Sequence, residues 1–203
     1  MCMRSFSIPY ARTKRLSISN LTLGDALDLS CFTDHTSPLY ASYNFSSMSR
    51  EELVEWYHFK TDSRKNRYYS VREAGRLVGY FGIKEIRRIF RRADFGIVID
   101  AARTGEGFGK EILHYFLPVY FHTFGMRDLL LDVAAFNTGA IRLYETAGFH
   151  IVGKRLQKLR EEECGDEETI YAHPEIFSVS ARGIYYPVWR MAVSERDLDG
   201  ISI

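Results

Sequence analysis

Cysteine is scarce in this sequence. Only three occur among 203 residues, at Cys2, Cys31 and Cys164, and no two form a CxxC pair. That spacing excludes a disulfide framework and a thiolate zinc site, and it points to a reduced, cytoplasmic protein. Long apolar runs are missing too: no stretch approaches the roughly 18 uninterrupted apolar residues that span a bilayer. Residues 1–15 lack the apolar core and small-residue cleavage site of a signal peptide, so neither a membrane nor export is expected. No charge sign dominates. With 27 Lys and Arg against 26 Asp and Glu, the net charge is +1, so no whole-chain field exists to draw in nucleic acid. Metal spacing is absent: the histidines His35, His58, His114, His122, His150 and His173 are scattered, and His114 and His122 stand too far apart on one expected helix for a single ion. What remains, 46% hydrophobic and 26% charged residues, describes a globular chain with one well-buried core or at most two small ones.

Periodicity and punctuation predict the elements. Residues 1–13 read as a loose or strapping N-terminal segment. A strand is expected at Arg15–Asn20 and a helix at Leu23–Cys31. A second helix opens at Ser49, whose hydroxyl can cap free N–H groups while Glu51 and Glu52 suit the positive helix end; it should run to about Lys60. Strands Arg67–Arg72 and Arg76–Glu85 flank a short turn at Glu73-Ala74-Gly75. Strand Asp94–Asp100, helix Gly107–Phe121, strand Asp128–Phe136, helix Thr138–Ala147, and strands Phe149–Leu159 and Gly183–Val193 follow. Pro118 lacks an N–H and costs ~3 kcal/mol or more in mid-helix, so the helix should kink or stop there. A meander, then β-α-β-α-β, then a last strand predicts a single α/β (α+β) domain over residues 1–203. Its sheet is mixed and mostly antiparallel, flanked by helices; residues 161–182 read as a loop or insertion.

The densest local signal is Arg103-Thr104-Gly105-Glu106-Gly107-Phe108-Gly109-Lys110, between a strand and a helix. Three glycines in five residues let the backbone turn tightly and approach a ligand. The helix start adds unpaired N–H groups and a positive dipole end, an arrangement suited to phosphate. It is not a P-loop, because Thr104 and Glu111 stand where Gly and Ser or Thr are required. It is not a dinucleotide fingerprint, because Lys110 stands at the third glycine. A turn that merely caps a helix and a pyrophosphate loop both remain open.

A second motif runs Asn137-Thr138-Gly139-Ala140-Ile141-Arg142-Leu143-Tyr144-Glu145-Thr146-Ala147-Gly148-Phe149. Together with the glycine loop it resembles the GNAT superfamily of acetyl-CoA-dependent N-acetyltransferases, over a cofactor-binding core at residues 76–158. The resemblance implies acetyl-CoA as co-substrate, no metal, and transfer of an acetyl group to an amine of a small molecule or peptide. It implies that the strand before the loop bulges and splays from its neighbour. The backbone of Ile97, Val98 and Ile99 would then pair with the pantetheine arm as an added strand would. Backbone N–H groups of Thr104, Gly105, Glu106, Gly107, Phe108, Gly109 and Lys110 would hold the pyrophosphate. Asn137 would contact the cofactor, a role compatible with its strength as an N-cap. Tyr144 would protonate the departing thiolate. Asp132, five residues before Asn137, is the candidate base for the amine, with Asp94 and Glu85 as alternatives. Thr104 stands where family loops usually carry Gln or Arg, with Arg103 one step earlier. Homodimers are common in the family.

Three further clusters carry plainer readings. Arg87, Arg88, Arg91 and Arg92 read as a solvated turn, with contact to nucleic acid or an anionic acceptor as the alternative. Glu161, Glu162, Glu163, Asp166, Glu167 and Glu168 form an acidic run that would either attract a cationic amine or be solvated loop. Trp56, Tyr57 and Phe59 read as a core-facing helix stripe, with an acceptor pocket as the alternative.

Overall fold

The computed structural model describes residues 6–159 and 167–198. In chain order the strands are β1 (Ala11–Arg12), β2 (Leu16–Asn20), β3 (Arg67–Glu73), β4 (Arg76–Arg87), β5 (Arg92–Ile99), β6 (Asp128–Ala134), β7 (His150–Lys158), β8 (Ser178–Ser180) and β9 (Gly183–Ser194). The helices are α1 (Leu23–Asp28), α2 (Arg50–Thr61), α3 (Phe108–Pro118), α4 (Thr138–Thr146) and α5 (Glu167–Ala172). The strands form one sheet in the order β1-β2-β3-β4-β5-β6-β9-β7, with β8 also on β9. Among the described residues the one parallel pairing is β5 with β6.

Alternation along the central strands decides the layers. Tyr69, Val71, Phe81 and Ile83 turn to one face, where they pack with Phe108, Ile112, Leu113, Phe116 and Leu117 of α3 and Ile141 and Tyr144 of α4. Tyr68, Leu77 and Tyr80 turn to the other, beneath Leu53 of α2 and Leu29 after α1. The Phe116 ring, fully buried, lies 4.9 Å from that of Phe81 and 5.7 Å from that of Phe95. Aromatic contacts of this kind add to the area each ring buries.

Local chemistry sets the helix ends. The Ser49 hydroxyl accepts from the Glu52 N–H at 3.2 Å, and the Glu52 carboxylate accepts from the Ser49 N–H at 2.7 Å. This reciprocal box opens α2. α3 stops being α-helical at Pro118 and continues as a π-turn over Val119–Thr123, because a residue without an N–H cannot continue the ladder.

The structure decides one expectation left open and departs from two others. The N-terminal segment is a strap from residue 6 onward: Phe6 and Ile8 are buried, and the Tyr69 hydroxyl donates to the Phe6 carbonyl at 2.8 Å. Residues 38–43 form a 3₁₀ turn that periodicity does not reveal. Within 161–182, the described residues include the short helix α5 and the strand β8. Glu161, Glu162, Glu163 and Asp166 of the acidic run lie outside the described residues, as do Cys2 and Cys164; Cys31 is exposed.

Candidate active site

Where β5 meets β6, the sheet opens. The two strands pair over Arg92↔Asp128, Ala93↔Leu129 and Asp94↔Leu130, and not beyond. Past that point β5 stays with β4, pairing Ile97↔Phe81, Val98↔Tyr80 and Ile99↔Gly79. β6 turns away and stays with β9 to Ala134↔Val188. The edge of Phe95–Ile99 facing β6 is thus left without a strand partner. The splay expected at Ile97–Ile99 is present, but the bulge is not on this strand. The register shift lies between Lys84 and Arg87 on β4, where Glu85 takes a positive φ of 49°.

The glycine loop closes one end of this opening. The buried Asp100 carboxylate accepts from the N–H groups of Thr33 at 2.9 Å and Ala102 at 3.2 Å, pinning the loop's entry. Gly105 and Gly107 take φ values of 83° and 84°, a left-handed conformation in which a β-carbon is strained. Gly107 caps α3. The Glu111 N–H donates to its carbonyl at 3.1 Å, so the amides of Phe108, Gly109 and Lys110 precede the first intrahelical bond and face outward. Gly109 permits a close crossing: a β-carbon there would stand 2.7 Å from Leu143 Cδ2 of α4.

The loop's side chains are tied off. Arg103 pairs with Glu73 and with Glu106, the latter at 2.6 Å, and its guanidinium lies 4.8 Å from the centroid of the Phe108 ring. The bond from Arg103 holds the Glu106 carboxyl below its ordinary range. That pairing compensates an acid which would otherwise repel a phosphate. Arg15 also approaches Phe108, at 4.6 Å, bonds the Glu106 carbonyl at 3.1 Å and pairs with Glu111 at 2.8 Å. Thr104 donates to the Ala101 carbonyl at 2.9 Å. Sequence reasoning missed Arg15, which is 92 residues from Gly107 and carries no local signal.

Two chambers share the opening. A groove of ≈ 540 Å³ runs along Ile97, Val98, Ile99 and the glycine loop, Glu106 excepted, to Asn137. A cavity of ≈ 440 Å³ lies on the side of Trp56, Tyr80, Phe136 and Tyr186. Asp132, Asn137 and Tyr144 line both. Asn137 caps α4, its side-chain oxygen accepting from the Ala140 N–H at 3.1 Å; among the described residues no hydrogen bond engages its amide nitrogen. Tyr144 is held between Phe149, 5.5 Å away, and Phe95, 6.5 Å away. Burial pushes its phenol well above the ordinary 10.0, and Tyr43 adds to that. Among the described residues no hydrogen bond engages its hydroxyl.

Of the candidate bases only Asp132 lines the two chambers, and Asp132 and Asp94 are both ion-paired. Asp132 pairs with Arg155 at 3.0 Å and Arg190 at 3.2 Å, and Asp94 pairs with Arg190. Glu85 lies exposed beside a separate small cavity with Asp94 and Arg190. Trp56 lines the second chamber, Tyr57 packs from α2 against the second core, and Phe59 is 78% exposed, so the three do not act together. In the arginine cluster, Arg91 bonds the Gly125 carbonyl at 2.7 Å and Arg92 stacks on Phe90. Lys60 and Lys84 of the second chamber escaped notice, since a lysine on a strand or helix reads as solvated surface.

A profile of the acetyltransferase (GNAT) domain matches residues 15–150. Spermidine N(1)-acetyltransferase of Vibrio cholerae serotype O1 is 32% identical over 102 residues, 50% of this chain and 59% of that protein. The Escherichia coli K12 protein of the same name is 26% identical over 107 residues, 53% of this chain and 58% of its own length. The matched segment therefore spans less than two thirds of these relatives. The crystal structure of spermidine N-acetyltransferase from Vibrio cholerae in complex with CoA and spermine superimposes with a TM-score of 0.69 at 23% identity, covering 91% of this chain and 98% of that one. A dodecameric structure of the Vibrio cholerae enzyme gives 0.62 at 24% identity, covering 94% and 100%.

Proposed function

Because the chain belongs to the acetyltransferase (GNAT) family, we propose that it transfers an acetyl group from acetyl-CoA to a primary amine of a small molecule or a protein N-terminus. The observation that carries this reading is the placement of Tyr144, which lines both the groove and the cavity and whose hydroxyl has no hydrogen bond among the described residues.

The groove fits the co-substrate. An extended amide-bearing arm can pair with the open edge of Phe95–Ile99 as a strand would. The free amides from Gly105 to Lys110 then suit a pyrophosphate at the start of α3. Asn137 is assigned to the arm by its free amide nitrogen. The carboxylate of Asp132, oriented by two arginines, is assigned the amine's proton, taken directly or through water. The neutral amine attacks the thioester carbonyl, and a tetrahedral intermediate forms. It collapses as the C–S bond breaks, and Tyr144 gives its proton to the leaving sulfur. We further propose that the protein acts in the cytoplasm and that it self-associates, as the Vibrio cholerae relative described as dodecameric does.

Thiol release from acetyl-CoA, followed over a panel of primary amines, tests the reading. Turnover on at least one amine is expected. Binding of acetyl-CoA by calorimetry with no thiol release on any amine would instead favour a CoA-binding module, a reading that the tight pairing of Asp132 keeps in play.

A further inference from the structure

The turn between β4 and β5 carries side chains that a turn does not call for. The Arg91 N–H donates to the Arg88 carbonyl at 3.1 Å, closing a turn with Ile89 and Phe90 at its centre. Gly, Pro, Asn, Asp and Ser suit such positions, each for a conformational reason that Ile and Phe lack. Arg91 takes a positive φ of 52°, uncommon outside glycine. Ile89 is 93% exposed and Phe90 59% exposed, so neither contributes to a core. An apolar pair held out at a tip gains free energy only once something covers it.

Cations surround this pair. Arg87 and Arg88 precede it, and Arg91 and Arg92 follow it. Among the described residues Arg87, Arg91 and Arg92 form no ion pair. Arg91 donates from Nε to the Gly125 carbonyl at 2.7 Å, and the Arg92 guanidinium lies 5.2 Å from the Phe90 centroid. Both partners are neutral, and the buried Arg92 Nε has no hydrogen-bond partner among the described residues. Arg88 lies over Phe6, at 4.5 Å. A neighbouring loop adds exposed Arg64 and Lys65, the Ile86 N–H donating to the Lys65 carbonyl at 3.0 Å. Glu85, exposed on β4, offsets one of these charges. The whole chain carries only +1, so the basic character is local to this end of the strands.

Two apolar side chains inside a ring of arginines complement a surface with an anionic rim and an apolar interior. An anionic bilayer has that order: phosphates outside, acyl chains beneath. Nucleic acid would answer the arginines as well, but Ile89 offers no flat face on which a base can stack. We infer that the β4–β5 turn docks on an anionic lipid surface, with its arginines at the headgroup phosphates and Ile89 and Phe90 entering the acyl boundary. Such attachment needs no spanning helix, and none among the described residues is long and apolar enough to cross. The position suits the task. The turn precedes β5, the glycine loop follows it, and the 8 residues between span roughly 25 Å. The turn lines neither chamber, so docking leaves the opening clear and does not depend on acetyl transfer.

The full chain is mixed with vesicles of phosphatidylcholine alone, or of phosphatidylcholine with phosphatidylserine, and bound protein is measured by flotation. Binding to the anionic vesicles should be at least about tenfold tighter than to the neutral ones and should weaken with salt. The Ile89→Ser/Phe90→Ser double variant should lose about tenfold or more. Arg87→Gln should lose about fivefold. Both changes are exposed, so the urea midpoint should hold. Absence of vesicle binding overturns the inference, as does equal binding to both vesicle types or a double variant that binds like the parent. Tighter, tip-dependent binding to an oligonucleotide assigns the turn to nucleic acid instead. A lower sedimenting mass for the double variant assigns it to contact between copies of the chain, and either result overturns the lipid reading.

Discussion

At the scale of the single side chain, the hydroxyl of Tyr144 carries the chemistry. Tyr144→Phe removes one oxygen and leaves the ring between Phe95 and Phe149, so folding and acetyl-CoA affinity should hold. Steady-state thiol release should show kcat lower by about 10²–10⁴, the usual worth of a general acid; an unchanged kcat removes the assignment. Burial raises this phenol above 10.0, and an acid must be protonated to act. Loss of its proton therefore sets no falling limb in kcat up to at least pH 10. Asp132→Asn tests the base differently. Near neutral pH, kcat/KM should fall by at least about tenfold, and the deficit should shrink as alkali deprotonates the amine unaided. A loss that stays constant with pH assigns Asp132 to structure through its bonds with Arg155 and Arg190. The glycine loop and the Asn137 cap were legible because a tight turn and a helix cap use local spacing, whereas Tyr144 was singled out only by the family resemblance. Arg15, Lys60 and Lys84 were not legible, because their places depend on neighbours brought near only by the sheet.

At the scale of the element, the site depends on how closely α3 approaches α4. Gly109→Ala places a β-carbon 2.7 Å from Leu143 Cδ2, and the Leu143 tip or the helix must give way. The expected cost is about 1–3 kcal/mol, as for overpacking. It should appear as a lower urea midpoint together with weaker acetyl-CoA binding by calorimetry. Loss of stability without loss of affinity would detach the crossing from the phosphate site. The meander, the two βα units and the stop at Pro118 were all legible, because strand alternation, the Ser49 cap and a missing donor act within a few residues. The choice between a loose and a strapping N-terminal segment was not, since Phe6 finds Tyr69 of β3 and Phe124 only after folding. Nor was the interior position of β9 between β6 and β7, which pairing across the whole chain decides.

At the scale of the whole molecule, the second core holds its tyrosines neutral. Tyr68 is raised from 10.0 to about 12 by burial. A raised pKa favours the protonated form in the folded state, so this contribution is complete below pH 10 and is lost as pH climbs toward 12. Chemical denaturation should show a stability plateau below pH 10 and a decline between pH 10 and 12; Tyr68→Phe should soften that decline. The parting of β5 from β6 has a different consequence. Unfilled, it leaves a row of main-chain donors and acceptors inside the sheet with nothing to mate with, and such a row invites any passing extended segment. Heated without co-substrate, the protein should coagulate through this seam, as light scattering would reveal. Added acetyl-CoA should then suppress the turbidity as though it were the missing strand.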